Sequence, residues 1–383
     1  MSTLAITGEV FRWAIERAGI SDEKLALSLH TKPEKIIAWE TGKEYPNFQQ
    51  AQKLATALSI PLGYLFLSDP PEITVPIADF RTLPEKPSTT ISLNLQDILD
   101  DALRKRDWYS EWRKSEGLAS FEFIGKFAIH DNPSDIVNDI RQVLEIPPDY
   151  ASHLRTWDDH LRLMVQKVEQ GGILVLQSGV VGNNTHRKLS LEEFRGFALA
   201  DKFAPLIFIN AQDSIAARIF TIAHELTHLW TGTSGISNPE ITPGNLELQQ
   251  IEHFCNKIAA DLLVPQEVFS RKWNKSIDTF ENTQILARHF RVSAQVILRR
   301  SYDLGIIPAD EYFAIYQEIL KASNVGKKGS GGDFYNSFFS RNSRRFTRTL
   351  ISAIASGNLS YLDAARLLNT QPRSIANAIE RLG

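Results

Sequence analysis

Apolar positions in residues 8–67 recur at helical spacing in short runs, broken by glycine, proline and small polar residues. Val10, Ala14, Ile15 and Ala18 line one face and stop at Gly19. Ser21 has the chemistry of an N-cap for a helix through Leu29, and Thr31 for the next one, with Pro33 in its first turn. That helix carries Ile36, Ile37 and Trp39 and ends near Gly42. Phe48 to Leu58 repeats the pattern, and Ile60-Pro61 opens a last segment through Tyr64, Leu65 and Phe66. Short helices joined by tight turns of this kind are the helix-turn-helix pattern.

Pro70, Pro71, Pro76, Pro84 and Pro87 then mark a linker. Helical periodicity returns from Leu93 to Arg113, carrying Trp108 and Trp112. It recurs from Ser134 to Leu144, with Ser134 as the cap, and from Thr156 to Glu169. Gly171-Gly172 precedes ILVLQ, a run suited to a buried strand, and PLIFIN at 205–210 is a second such run. One or two further strands are expected between them. Ser214 to Thr231 and Asn245 to Leu263 read as helices, and the Gly/Ser/Thr/Pro-rich 232–244 as a loop. Two short helices turn at Arg291-Val292-Ser293. Residues 326–332 read as a linker, 334–356 as helical, and Ser360–Leu368 with Arg373–Leu382 as a closing helix pair.

One helix carries chemistry. In Phe220-Thr-Ile-Ala-His-Glu-Leu-Thr-His-Leu-Trp230 the two histidines, His224 and His228, lie four residues apart. On a helix that spacing sets both imidazoles on one face, one turn apart, where each can give a nitrogen to one Zn²⁺. Glu225 lies beside the metal's open position, where it can hold a water molecule and take its proton. The remaining positions, Phe220, Ile222, Ala223, Leu226 and Leu229, are apolar, so the motif is the polar insertion in a buried helix.

A catalytic zinc needs a third protein ligand and one open position. Glu252, on the next helix, is the expected ligand. Asn256 is four residues further along the same face and can hydrogen-bond a ligating histidine. Cys255 and His253 are the rivals, but His253 sits about 100° around the helix from Glu252. With such a site the metal polarises a carbonyl, and Glu225 moves a proton from water to the leaving amine.

Composition narrows the setting. The 383 residues are 43% hydrophobic and 23% charged, an ordinary globular balance. A single cysteine excludes an internal disulfide framework and any multi-cysteine zinc site. No apolar run approaches the ~18 residues of a membrane span, and Glu9 and Arg12 spoil the N-terminus as a signal peptide. A cytoplasmic location is the expectation. The net charge is −3 but uneven. Lys321–Gly383 holds ten Lys/Arg against three Asp/Glu, whereas residues 1–72 hold seven against nine. DNA contact by the N-terminal part would rest on local placement and not on a broad basic field.

With FTIAHELTHLW followed by EHFCNKIAADLLVP from Glu252, the sequence resembles the ImmA/IrrE-type zinc metallopeptidases. FRGFAL (194–199), PLIFIN, Arg218, the helix pair at 285–305 and GGDFYNSFFSR (331–341) extend the likeness. The resemblance implies zinc on His224, His228 and Glu252, with Glu225 catalytic. Thr227 stands where the family's motif usually has glycine, and it is no ligand. Residues 8–67 resemble the XRE-type helix-turn-helix of phage repressors through Leu25-Ala26, Ile36, Trp39-Glu40, Gly42, Pro46, Leu54-Ala55 and Leu58. Lys32, Glu34, Lys35 and Lys43 then fall at or near the recognition helix.

The expected fold is multidomain and mainly α: an all-α helix-turn-helix bundle at 1–70 and a linker and helical segment at 71–130. An α+β zincin-like metallopeptidase core, with a small sheet and the HExxH helix, follows at 131–280. A helix-turn-helix-like extension at 281–325 and a basic helical region at 326–383 complete it. The implied function is a cytosolic zinc endopeptidase and transcriptional regulator. It would cleave a partner repressor or module protein in a phage, stress-response or toxin–antitoxin setting. The alternative is a DNA-binding regulator or antitoxin, possible as a homodimer, whose peptidase fold is a docking platform. A bundle at 1–70 that contacts protein and not DNA stays open. Arg341, Arg344, Arg345 and Arg348 form a basic helical stripe that reads either as a solvated face or as a nucleic-acid contact.

Overall fold

The computed structural model describes residues 3–71, 78–79, 91–237, 246–323 and 334–375. These fall into two compact units, one built from residues 1–76 and 88–97 and the other from 77–87 and 98–383, each taken over its described residues.

The first unit holds α1 (Gly8–Ala18), α2 (Asp22–Ser28), α3 (Pro33–Glu40), α4 (Phe48–Ala57) and a 3₁₀ turn at Leu62–Phe66. α1 stops where Gly19 adopts φ 60°, the left-handed geometry glycine permits. Ser21 caps α2 as expected. Thr31 does not cap α3. Lys32 takes that place in an extended conformation (φ −94°, ψ 148°), because Pro33 bars the residue before it from helical geometry. Asn47 and Gln50 close α4 with a reciprocal capping box. Phe11, Leu25, Ile36, Trp39, Leu54 and Leu65 fill the core between these helices. α1 and α3 approach so closely that a Cβ on Gly8 would sit 2.1 Å from the Glu40 carbonyl oxygen. Arg12 reinforces the contact with a forked pair to the Glu40 carboxylate.

The second unit is mainly helical around a small mixed sheet. Its elements begin with β1 (Ala78–Asp79), α5 (Leu93–Ser115, from Ile98 onward), α6 (Pro133–Leu144) and α7 (Trp157–Gln170). Asn132, not Ser134, caps α6, again because a proline takes the first helical position. The strands β2 (Leu174–Ser178), β3 (Val180–Val181), β4 (Asn184–Lys188), β5 (Gly196–Leu199) and β6 (Leu206–Asn210) follow. Three strands therefore lie between the two apolar runs, where one or two are expected. Next come α8 (Ile215–Trp230), β7 (Gly235–Ser237) and α9 (Leu246–Leu263). β7 falls in the stretch that reads as loop; three residues are too few to display an alternation. Residues 238–244 of that loop lie outside the described residues.

The main sheet runs β1-β7-β5-β6-β2. β6 pairs parallel with β2 in the register Leu174↔Leu206 to Ser178↔Asn210. β5 pairs antiparallel with β6 and with β7. Val175, Ile207 and Ile209 from the sheet meet Ile219, Ile222 and Leu226 of α8 and Ile258 and Leu262 of α9 in one core. Full burial of each such side chain contributes roughly 1.5–3 kcal/mol, enough to hold polar groups within α8 in fixed positions.

α10 (Gln266–Lys272), α11 (Thr279–Phe290) and α12 (Ala294–Asp303) add Phe269, Leu286, Phe290 and Ile297 to this core, and α13 (Ala309–Ser323), α14 (Phe334–Asn342), α15 (Arg344–Ala355) and α16 (Tyr361–Leu367) follow. The continuous helical reading of 334–356 is broken at Ser343, which takes φ 62° and caps α15. Its hydroxyl donates to the buried Glu169 carboxylate at 2.5 Å, a contact absent from any local pattern. The linker at 326–332 and the end of the last expected helix, from 376 on, lie outside the described residues. Among the described residues no helix is long and apolar enough to cross a membrane.

Candidate metal centre

α8 is buried from Thr221 through Trp230, so its polar residues must find partners inside the protein. Ser214 caps its start by accepting from the Ala217 amide. At its end Trp230 stacks on Phe123 with ring centroids 4.4 Å apart and donates to Asp139 at 2.8 Å. These contacts tie the end of the helix to Phe123 and to α6.

His224 and His228 turn their Nε2 atoms toward each other at 3.1 Å. Glu252 reaches in from α9, with Oε2 3.2 Å from His224 Nε2 and Oε1 3.4 Å from His228 Nε2. Both carboxylate oxygens are buried, and neither makes a hydrogen bond of ordinary geometry among the described residues. Two imidazole nitrogens and a carboxylate thus converge on one point. That donor set fits a divalent cation with a preference for nitrogen and oxygen ligands.

The outer nitrogens are held as well. Asn256 Oδ1 lies 3.0 Å from His224 Nδ1, and Thr233 Oγ1 lies 2.9 Å from His228 Nδ1. An amide oxygen can only accept, so it places a proton of His224 on Nδ1 and directs Nε2 at Glu252. Thr233 follows the helix end and carries no signal in the sequence.

Two ligand sets are geometrically available. His224, His228 and Cys255 also offer ligand atoms within 4.8 Å of one another. The thiol, however, approaches His228 from its Nδ1 side, at 3.8 Å. One imidazole cannot direct both nitrogens at the same ion, and Nδ1 is already taken up by Thr233. Burial and the carboxylates of Glu252 and Glu225 also push the Cys255 thiol up, away from the thiolate that metal binding requires. The oxygen of Glu252 is therefore the better third donor. His253 is exposed on the other side of α9 and takes no part.

The electrostatics follow the same grouping. Burial works against charge on His224, but the Glu252 carboxylate and then Glu225 outweigh it, and the pKa is raised to about 9. His228 is lowered, by burial first and by the neighbouring His224. Burial opposes ionisation of Glu252, yet the two imidazoles hold it well below the usual carboxylate range.

Glu225 is fully buried beside His224. Strand β5 passes directly over it: a Cβ on Gly196 would lie 3.0 Å from Glu225 Oε1 and 2.6 Å from Thr221 Cγ2. Gly196 is thus required by close approach, the usual meaning of a glycine within a strand.

In the first unit, Lys32, Glu34 and Lys43 are exposed around α3, while Lys35 is half-buried with Nζ 5.8 Å from the Trp39 ring centroid. Lys32, Glu34 and Lys35 lie at the start of that helix, the exposed Ile37 in its middle, and Lys43 past its end.

Residues 169–302 match the family model described as Peptidase_M78, IrrE N-terminal-like domain. Residues 342–381 match a domain of unknown function, DUF8813. The comparison with curated proteins gives no match. Among solved structures, the apo form of the competence regulator ComR from Streptococcus vestibularis aligns over 98% of both chains at 11% identity, with a TM-score of 0.15. A score that low carries no argument about fold or function.

Proposed function

We propose that the chain is a zinc-dependent endopeptidase that acts as a regulator by cutting a partner protein. The observation that carries this is the convergence of His224 Nε2, His228 Nε2 and the Glu252 carboxylate within 3.1–3.4 Å, with Glu225 adjoining. The match of residues 169–302 to a metallopeptidase-type domain supports it.

His224, His228 and Glu252 would hold the zinc, and Asn256 and Thr233 fix the two imidazoles from behind. Bound zinc supplies Lewis acidity that polarises a peptide carbonyl and makes water a better nucleophile at neutral pH. The chain's own acid–base group is Glu225. It takes a proton from the attacking water and delivers it to the leaving amine, so that nitrogen departs neutral. Burial of the cluster excludes bulk water and strengthens each of these electrostatic interactions.

The substrate in this reading is a transcription repressor or a partner from a toxin–antitoxin, phage or stress module, and the location is cytoplasmic. The bundle at 8–67 is an XRE-type helix-turn-helix that meets DNA through Lys32, Glu34, Lys35 and Lys43. Co-expression of wild type or Glu225→Gln with regulators encoded beside it tests the peptidase assignment. A defined cleavage product with wild type and none with Glu225→Gln is expected. Undiminished regulation by Glu225→Gln would instead favour a DNA-binding regulator whose peptidase fold is a docking platform.

A further inference from the structure

The arginines 341, 344, 345 and 348 do not form one surface stripe, because the break at Ser343 divides them between α14 and α15. Arg345 turns inward, with Nε on the Tyr109 hydroxyl at 2.8 Å and Nη1 on the Glu169 carbonyl at 2.9 Å. Arg344 lies 5.1 Å from the centroid of the Phe339 ring. Arg348 is exposed. Arg341 takes a fourth course: it is half-buried and has no ion pair or hydrogen bond among the described residues.

Arg341 lines a recess where α14 meets α5 and the turn after β2. Lys105 lines the same recess, only 1% exposed, and its one ion-pair partner among the described residues is Asp101 at 2.5 Å. That carboxylate is already shared: Arg104 lies 2.5 Å from Oδ1, and Asn369 Nδ2 donates to the same oxygen at 2.8 Å. Lys105 and Arg104 thus share Asp101, and Arg341 is left with no carboxylate partner among the described residues. Sequestered positive charge in excess is costly unless an anion accompanies it. Asn342, 3% exposed in the same wall, carries a buried Oδ1 that accepts no hydrogen bond among the described residues.

Asn183 and Asn369 connect this recess to an open cleft of about 800 Å³. Its wall adds Arg366, which pairs with Asp363 at 3.2 Å, and the hydrogen-bonding groups of Thr370, Gln371 and Ser374. The cleft is within the size range of small-molecule sites. The recess, about 20 Å³, admits one oxygen-sized group.

We propose that this cleft binds a small phosphomonoester, with one phosphate oxygen entering the recess between Lys105 and Arg341 and the body of the ligand lying against Arg366, Asn183 and Gln371. The charge of a phosphomonoester balances the excess cations, and its size suits the outer cleft. This site is separate from the histidine cluster and uses none of its residues.

The test is isothermal titration of the full-length, chelator-treated protein with inorganic phosphate and with AMP as probes. Chelation removes any contribution from a metal at His224. The expected result is one saturable site for AMP, weaker binding of free phosphate, and an affinity about tenfold or more lower for Arg341→Gln. Arg348→Gln, at an exposed position outside the cleft, leaves affinity within about twofold. Should Arg341→Gln fail to fold by circular dichroism, Arg366→Gln serves in its place and is expected to weaken AMP several-fold. If neither probe binds at millimolar concentration, or Arg348→Gln weakens AMP as much as Arg341→Gln, the proposal fails. A short DNA duplex that competes with AMP and binds more tightly through Arg341 would also overturn it, in favour of a nucleic-acid surface.

Discussion

The Oδ1 atom of Asn256 stands 3.0 Å from Nδ1 of His224, and this contact decides which imidazole nitrogen faces Glu252. Replacing Asn256 with Ala frees the ring to rotate and to change tautomer without removing a ligand. Zinc affinity, measured by competition with a chromophoric chelator, is expected to fall about 10–100-fold, with the fold retained. Unchanged affinity would show that the amide does not position the ring.

Gly196 passes so close to α8 that any side chain there collides. In Gly196→Ala the new methyl would meet Thr221 Cγ2 at 2.6 Å, the Phe208 carbonyl oxygen at 2.9 Å and Glu225 Oε1 at 3.0 Å. Overpacking of this kind costs about 1–3 kcal/mol. Urea denaturation should register that destabilisation, and peptidase turnover should drop because the methyl displaces Glu225. A variant as stable and active as wild type would refute the close approach of β5.

His160 supplies a pH dependence of its own, apart from His224 and His228. It is buried between the Tyr150 hydroxyl, 2.6 Å from Nε2, and the Arg291 carbonyl, 3.0 Å from Nδ1. Burial lowers its pKa to about 4, against an ordinary 6.5. Below pH 6.5 the unfolded chain therefore binds a proton that the folded chain refuses. The stabilisation is complete above pH 6.5 and is lost as pH falls toward 4, on the order of 2–3 kcal/mol by pH 4.5. His160→Gln should flatten the wild-type stability profile between pH 7 and 4.5. Equal slopes for the two proteins would contradict this assignment.

If α3 meets DNA through Lys32 and Lys43, both exposed, each alanine substitution should weaken binding across all sequences. The dependence of log K on log salt should also become shallower by about 1 for each phosphate that a lysine no longer neutralises. Fluorescence anisotropy across a salt series measures this. No DNA binding by wild type at low salt would make the bundle a protein-contact module.

The parts of this molecule that were legible in the sequence are those governed by local spacing. The interval of four between His224 and His228 implies two imidazoles one turn apart, and their Nε2 atoms lie 3.1 Å from each other. The apolar runs at 173–177 and 205–210 hold strands β2 and β6. Glycine at 19 and serines at 21 and 214 mark helix ends where local chemistry alone decides. Local reading misplaced the caps at Thr31 and Ser134, since a following or preceding proline overrides side-chain preference. It could not see β7, which exists because β5 offers an open edge, nor the break at Ser343, which exists because Glu169 waits across the fold. Thr233 was hidden for the same reason: its partner, His228, is supplied by the way the chain turns after α8.

The central claim is that His224, His228 and Glu252 form a zinc site with Glu225 poised as its acid–base group. Metal analysis of the purified wild type, His224→Ala, Glu252→Ala and Glu225→Gln tests it most directly. The account predicts about one zinc per chain in wild type and in Glu225→Gln, and little in the two ligand variants. No zinc in wild type prepared metal-replete and without chelator, or full zinc in Glu252→Ala, would contradict it.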